Sequence, residues 1–413
     1  MALSDLSDWM DENTGLDCVW FVKRLSANDT LANETHQAGP YIPREFLFRV
    51  FPEINRPDVE NPDCRFVLSI DSHMDRRIVR AIWYNKKLHG TGTRNEARIT
   101  GFGGRGSALL DPENTGALAI FAFLVDEQGA ASKCRVWVCR TEIEESLVED
   151  RIGPIDPGQS RIWAPNLERT ADLYGTAKRV RTSCYLQREE IPLPWLVNFP
   201  SGAEIVSKTI EFKPAGGMNP DTRLLARRKC EFEMFRSIEE AIELPNVLRG
   251  FLTIDEFLAR AQTILQRRKA RSGRSLELHA LEIFLEEGLV ENENFTHQPE
   301  SEHGKRPDFL FPSAALYKTT TFPASQLRML AVKTTCKDRW RQIINEADRI
   351  KEKHLLTLQE GVSVGQFHEM TEAGVRLVVP EALKSNYNKK IQPYLQSLES
   401  FISDIRLLTG RLR

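Results

Sequence analysis

The sequence predicts two domains of different class: a β-rich N-terminal half, and a C-terminal half in which helices alternate with apolar strands. Three observations carry this. Short aromatic and β-branched runs separated by turn residues fill residues 17–140. A stretch punctuated by Pro154, Pro157, Pro165, Pro192, Pro194 and Pro200 follows, and helical periodicity starts at Asn219. A chain of 413 residues is also long for one core and natural for two. The expected boundaries are 1–172 for the first domain, 173–195 for an extended connection and 196–413 for the second domain.

In the first half, strands are expected at Cys18–Val22, Phe46–Phe51, Phe66–Ile70, Ile78–Tyr84, Ala117–Val125 and Arg135–Val138, with lengths that fit a barrel or sandwich. Thr141-x-x-Glu144 is a capping box that opens a closing helix, with Ile143, Leu147 and Val148 on its apolar side and Gly153 as its stop. Gly101-x-Gly103-x-x-Gly106 formally fits a dinucleotide fingerprint. The turn Asp111-Pro112-Glu113-Asn114 follows it instead of a helix, so it reads as a flexible loop.

In the second half, Asn219-Pro220-Asp221 supplies a cap, a first-turn proline and an acid for a long helix whose apolar face is Leu224, Leu225, Phe232, Phe235, Ile238 and Ile242. Thr253-x-x-Glu256 opens a second helix, and a basic turn through Arg267, Arg268, Lys269, Arg271 and Arg274 leads into a third. Strands are expected at Phe309–Phe311, Leu327–Val332, His354–Leu358 and Val375–Val379. Helices are expected from about Lys337 to Ile350, at Ser363–Ala373 and around Tyr394–Leu408. That alternation argues for a sheet covered on both faces.

Composition narrows the class. The net charge of −2 gives no whole-protein signal for nucleic acid, so any such surface must be a local basic patch. Cys18, Cys64, Cys134, Cys139, Cys184, Cys230 and Cys336 are odd in number and scattered without zinc spacing, which reads as reduced thiols in a cytosol. No apolar run of membrane-spanning length occurs, and Met1–Glu12 is acidic and polar. A soluble cytoplasmic protein with no membrane partner is expected.

The chemistry concentrates between residues 305 and 346. Asp308 follows a proline at the mouth of the run Phe309–Phe311, and Lys333 ends a strand that is apolar except for Arg328. Glu346 flanks the apolar stripe Trp340, Ile343, Ala347 and Ile350 of the following helix. Two carboxylates and one ammonium at a strand edge suit metal-dependent phosphodiester hydrolysis. On these residues alone, a buried ion pair beside a solvated helix face remains open.

Six segments resolve the choice: A-V-K-T-T-C-K-D-R-W-R-Q-I-I-N-E-A-D, K-R-P-D-F-L-F-P-S-A, R-S-G-R-S-L-E-L-H, L-Q-E-G-V-S, K-R-L-S-A-N-D-T and L-D-P-E-N-T-G-A-L. Together they resemble the EcoRII-type restriction endonucleases, in the same order across nearly the whole chain. The resemblance implies an N-terminal β-rich pseudo-barrel that binds effector DNA and a C-terminal α/β/α restriction-endonuclease-like domain of the P-D…(D/E)-x-K kind. It implies a Mg²⁺-dependent homodimer that cuts double-stranded DNA at a CC-(A/T)-GG-like site. Ala331 stands two before Lys333, where that pattern has an acid, and the family supplies the missing carboxylate from the next helix, here Glu346.

By the same resemblance Asp308 and Glu346 are expected to hold the metal, Lys333 to sit beside the attacking water, and Glu277 to act as an outer carboxylate. Unaided by the resemblance, Glu277 reads as an acid in a helix's first turn. Lys337, Asp338 and Arg339 offer two donors and an acceptor for guanine and cytosine edges in a major groove, or else form a solvated first turn. Arg228 matches an arginine set against DNA near a flipped central pair. His36, Tyr41, Arg94, Glu96 and Arg98 resemble the family's effector-DNA surface, although Gly92 and Ala97 replace lysines there, and a charged hairpin is the plain reading of that run. The family also uses this domain to restrain the nuclease. The alternative function is a DNA-binding regulator that no longer cuts.

Overall fold

A computed structural model describes residues 3–34, 39–164 and 184–410. The chain divides into two compact units. One comprises residues 1–179 with 359–367 and 386–391; the other comprises 180–358 with 368–385 and 392–413.

Seven strands build the sheet of the first unit among the described residues: β1 (Cys18–Arg24), β2 (Asp63–Ile70), β3 (Asp75–Tyr84), β4 (Glu96–Thr100), β5 (Leu118–Val125), β6 (Ala131–Val138) and β7 (Ser160–Trp163). Their order is β4-β3-β2-β6-β5-β1-β7, antiparallel throughout except for the β2–β6 pair. Side chains alternate along a strand, and both faces of β1 and β5 are used. Val19, Phe21, Phe121 and Phe123 enter one core, while Trp20, Val22, Ile120 and Ala122 enter another that includes Leu6, Trp9, Val148 and Ile152. Burial on both faces explains why β5 reads as an unbroken apolar run.

Two readings are corrected here. Phe46–Phe51 is not a strand: helix Arg44–Val50 occupies it and buries Phe46, Leu47 and Val50, at the spacing of one helical face. Helix Glu142–Ile152 is capped by Thr141 and stops at Gly153 as expected, but it buries Glu144, Glu145, Val148 and Ile152 and leaves Ile143 63% exposed. Val148 and, in part, Leu147 do face the core as expected; Ile143 alone is displaced, because Glu145 and Glu149 turn inward to bind the buried Arg24 of β1, each at 2.7 Å.

The sheet of the second unit runs, edge to edge, Val375–Val378 (β12), Lys353–Leu356 (β11), Arg328–Val332 (β10), Phe309–Phe311 (β9) and Thr296–His297 (β8). β10, β11 and β12 are parallel, whereas β8 and β9 join antiparallel. One face packs Phe309, Phe311, Leu330, Val332 and Leu356 against Leu276, Phe284, Phe401 and Ile405 of helices Ile254–Glu286 and Leu398–Gly410. Leu310, Met329, Ala331, Leu355 and Leu377, at the alternate positions, are buried as well.

The expected second and third helices are one, Ile254–Glu286, so the basic run 267–274 is not a turn. It pairs with the acids of helix Pro220–Arg249: Arg271 with Glu231 at 2.9 Å, Arg268 with Glu239 at 2.7 Å and Arg267 with Glu243 at 2.6 Å. The partners fall in reverse order, which makes the two helices antiparallel, and the charges form a ladder between them. Reduced thiols throughout are likewise overturned, because a disulfide joins Cys184 to Cys230 with their Cα atoms 5.2 Å apart. That bond ties down the chain just before the turn Arg188–Glu190 and the short helix Leu193–Val197, in what was expected to be an extended connection. The earlier part of the connection lies outside the described residues.

Candidate active site

Asp308 occupies a bend just before β9, where the pairing of Phe309 with Leu330 sets it against the end of β10. Its Oδ2 accepts the Val332 N–H at 2.7 Å. Lys333 is the first residue past β10; its N–H donates to Leu356 O at 3.0 Å, and its Nζ lies 3.8 Å from Asp308 Oδ2. Glu346 does not ride on a helix. The helix expected to run from about Lys337 is a single turn, Trp340–Ile343, and Ala347, four residues past its end, takes a left-handed φ of +49° that keeps a helix from resuming toward Ile350. The stripe Trp340, Ile343, Ala347 and Ile350 is nevertheless buried.

Electrostatics show that these groups share one environment. Burial raises the pKa of Asp308, against the opposing effects of the Lys333 charge and the Val332 N–H. Burial, reinforced by Asp308, pushes Glu346 up to about 7 although Lys333 and Lys353 pull the other way. Glu277, in the C-terminal third of helix Ile254–Glu286 and not in a first turn, behaves oppositely. Burial disfavours its charge, but His297 and Gln298 outweigh this and hold it below the ordinary glutamate range.

His297 Nε2 lies 2.5 Å from Glu277 Oε1, and Gln298 Nε2 donates to the same oxygen at 2.6 Å. β8 pairs His297 with Phe309, on which its ring stacks at 5.0 Å, and the Gln298 N–H donates to Asp308 O at 2.8 Å. Sequence reasoning missed both residues. β8 is two residues long, too short for any periodicity to announce it.

Two half-buried carboxylates, Asp308 and Glu346, share the one Lys333 ammonium, with Glu277 adding negative charge beside Asp308, and a divalent cation would relieve the excess. Asp308 and Glu346 offer hard oxygen donors suited to Mg²⁺. No cluster of three His, Cys, Asp or Glu side chains with ligand geometry occurs among the described residues. Two carboxylates completed by water and phosphate oxygens are nevertheless an ordinary Mg²⁺ donor set, so the residues fit.

The other candidates divide by unit. Lys337, Asp338 and Arg339 form the half-buried turn between Lys333 and the helical turn, with Asp338 3.7 Å from Arg341. Arg228 is 7% exposed and donates to Ser275 Oγ and, at 3.3 Å, to Glu231 Oε2, so the structure places it in the helix seam and not on the surface. His279, two residues after Glu277 on the same helix, is fully buried. In the first unit Tyr41 is 57% exposed, Arg94 lies over the Tyr84 ring at 5.3 Å, and Glu96 and Arg98 pair at 2.8 Å on the outward face of β4. Ala97 points into the core. His36 lies outside the described residues.

Residues 14–167 match the family model described as the N-terminal domain of restriction endonuclease EcoRII, and residues 235–402 match the EcoRII C-terminal domain. The chain is 41% identical to the type II restriction enzyme EcoRII of Escherichia coli over 98% of each chain. Two structures of metal-depleted Ecl18kI in complex with uncleaved DNA, one of them modified, are 18% identical. They cover 52% of this chain and 80% and 81% of their own, with TM-scores of 0.43 and 0.42. The B3 domain of UbaLAI restriction endonuclease with cognate DNA is 20% identical over 38% of this chain and 98% of its own, with a TM-score of 0.27. These structural likenesses are remote; the full-length match is not, and it makes this chain a member of the EcoRII family of type II restriction endonucleases.

Proposed function

We propose that this protein is a Mg²⁺-dependent homodimeric endonuclease that cuts both strands of a CC-(A/T)-GG-like DNA site under the control of a second DNA copy. The observation that carries the reading is the meeting of Asp308, Lys333 and Glu346 in one half-buried site. A bound divalent cation would supply Lewis acidity at the scissile phosphate. Asp308 and Glu346 would hold it, and the Val332 N–H orients the Asp308 carboxylate for that task. Lys333 orients the attacking water and offsets charge as it builds on the phosphate. Glu277, kept ionised by His297 and Gln298, serves as the outer carboxylate.

Recognition is assigned to the turn Lys337, Asp338 and Arg339 against the outer C·G pairs. Arg228 is assigned to the flipped central pair, for which it must part from Ser275 and Glu231. Tyr41, Arg94, Glu96, Arg98 and His36 are assigned to the second DNA copy, whose binding relieves restraint only to the extent that it prefers the active state. The test is to incubate wild-type protein and Asp308→Asn with short cognate duplexes in Mg²⁺ and in EDTA. Binding by both proteins with cutting by the wild type alone is expected. Tight binding with no cutting by either protein would leave the regulator reading in its place.

A further inference from the structure

Glu346 is an unusual carboxylate for its task, because neither a strand nor a regular helix fixes it. It sits between two tight turns, closed by the Glu346 N–H on Ile343 O at 3.1 Å and the Ile350 N–H on Ala347 O at 2.9 Å. The joint between them is Ala347, fully buried at a φ of +49°, a conformation that a residue with a Cβ keeps only when its surroundings hold it. What holds it is a buried lysine. Lys353, 5% exposed, donates from Nζ to Ile350 O at 2.6 Å and to Ala347 O at 3.4 Å. Among the described residues it makes no ion pair, and its side-chain hydrogen bonds go to the carbonyls of this loop.

Lys353 also opens β11, the parallel neighbour of the strand that delivers Lys333, and its own N–H is tied to Gly374 O at 2.8 Å. We propose that Lys353, acting on the left-handed turn at Ala347, is a positioning residue that fixes the Glu346 carboxylate against Asp308 and Lys333. It thereby replaces the strand attachment that Ala331 cannot supply. The inference rests on the reading of Glu346 as a metal ligand.

The test compares Lys353→Met, Lys353→Arg and Glu346→Gln in the full chain, each with cognate DNA. Mn²⁺ uptake is read from the free-ion electron paramagnetic resonance signal, and DNA affinity is measured in EDTA. Lys353→Met should bind DNA like the wild type yet need about ten-fold or more additional Mn²⁺, the usual consequence of losing the support of a ligand, whereas Lys353→Arg keeps donors for the carbonyls and should lose less. Normal Mn²⁺ uptake by Lys353→Met beside a loss in Glu346→Gln would overturn the role of Lys353 alone. Normal uptake by Glu346→Gln would overturn the ligand reading beneath it. Should Lys353→Met fail to fold, Ala347→Val and Ala347→Gly decide. Valine disfavours the left-handed turn and should weaken Mn²⁺ uptake, glycine should preserve it, and equal uptake by both would refute the proposal.

Discussion

Replacing Glu346 with glutamine should stabilise the metal-free protein above neutral pH while abolishing activity. The folded-state pKa of Glu346 rises from 4.5 to about 7, chiefly through burial and then through Asp308. Between these values the folded state holds a proton that the unfolded chain has released. The stability this confers is complete below about 4.5 and is lost as pH rises through about 7. At ~1.4 kcal/mol per pKa unit, the ionised carboxylate costs the fold roughly 3 kcal/mol. Glutamine has nearly the same shape and never ionises, so it escapes that cost. For a domain of roughly two hundred residues, where 1 kcal/mol moves Tm by ~2–4 °C, the variant should melt about 6–12 °C higher near pH ~8 and coincide with the wild type near pH ~4. Calorimetry in EDTA at both values measures this. A gain equal at the two pH values, or absent at both, would refute the reasoning.

Lys333→Ala should abolish cleavage and leave cognate binding in EDTA nearly unchanged, because the ammonium serves the chemistry; cutting at near wild-type rate would remove it from the mechanism. His297→Ala deprives Glu277 of one of its two donors, so the depressed carboxyl pKa should rise and the acid limb of the pH–rate profile should move to higher pH, with activity down about 10–100-fold. An unmoved profile would separate Glu277 from catalysis. Arg339→Ala should cost about 1–3 kcal/mol on cognate DNA and little on random DNA, as read by competition binding, and equal losses would reduce it to a phosphate contact. Protein lacking residues 1–179 should cut one-site DNA faster than the full chain if the first domain restrains the second, and matching rates on one-site and two-site substrates would exclude restraint.

What the sequence revealed follows from how local each signal is. β5 and β10 were legible because burial on both faces leaves a continuous apolar run, and Thr141 and Asn219 because capping chemistry is written in adjacent residues. Phe46–Phe51 was not, since six consecutive apolar and aromatic positions broken only by Arg49 satisfy a strand and a helix alike. The basic run 267–274 suggested a turn because its acidic partners Glu231, Glu239 and Glu243 lie on another helix. Asp308 and Lys333 were legible as strand-end residues, but their 3.8 Å approach depends on the antiparallel β9–β10 register. His297, Gln298 and Lys353 escaped notice for the same reason, as each acts on a residue far from it in sequence or across a turn that only the folded backbone defines.

The central claim is that the site built from Asp308, Lys333 and Glu346 cuts DNA at a defined sequence. Incubating the full-length protein with unmethylated plasmid and Mg²⁺, then sequencing the ends, tests it most directly. Discrete ends at a CC-(A/T)-GG-like site, absent in EDTA and absent with Lys333→Ala, are predicted. Plasmid that stays intact while the protein binds that site would contradict the account.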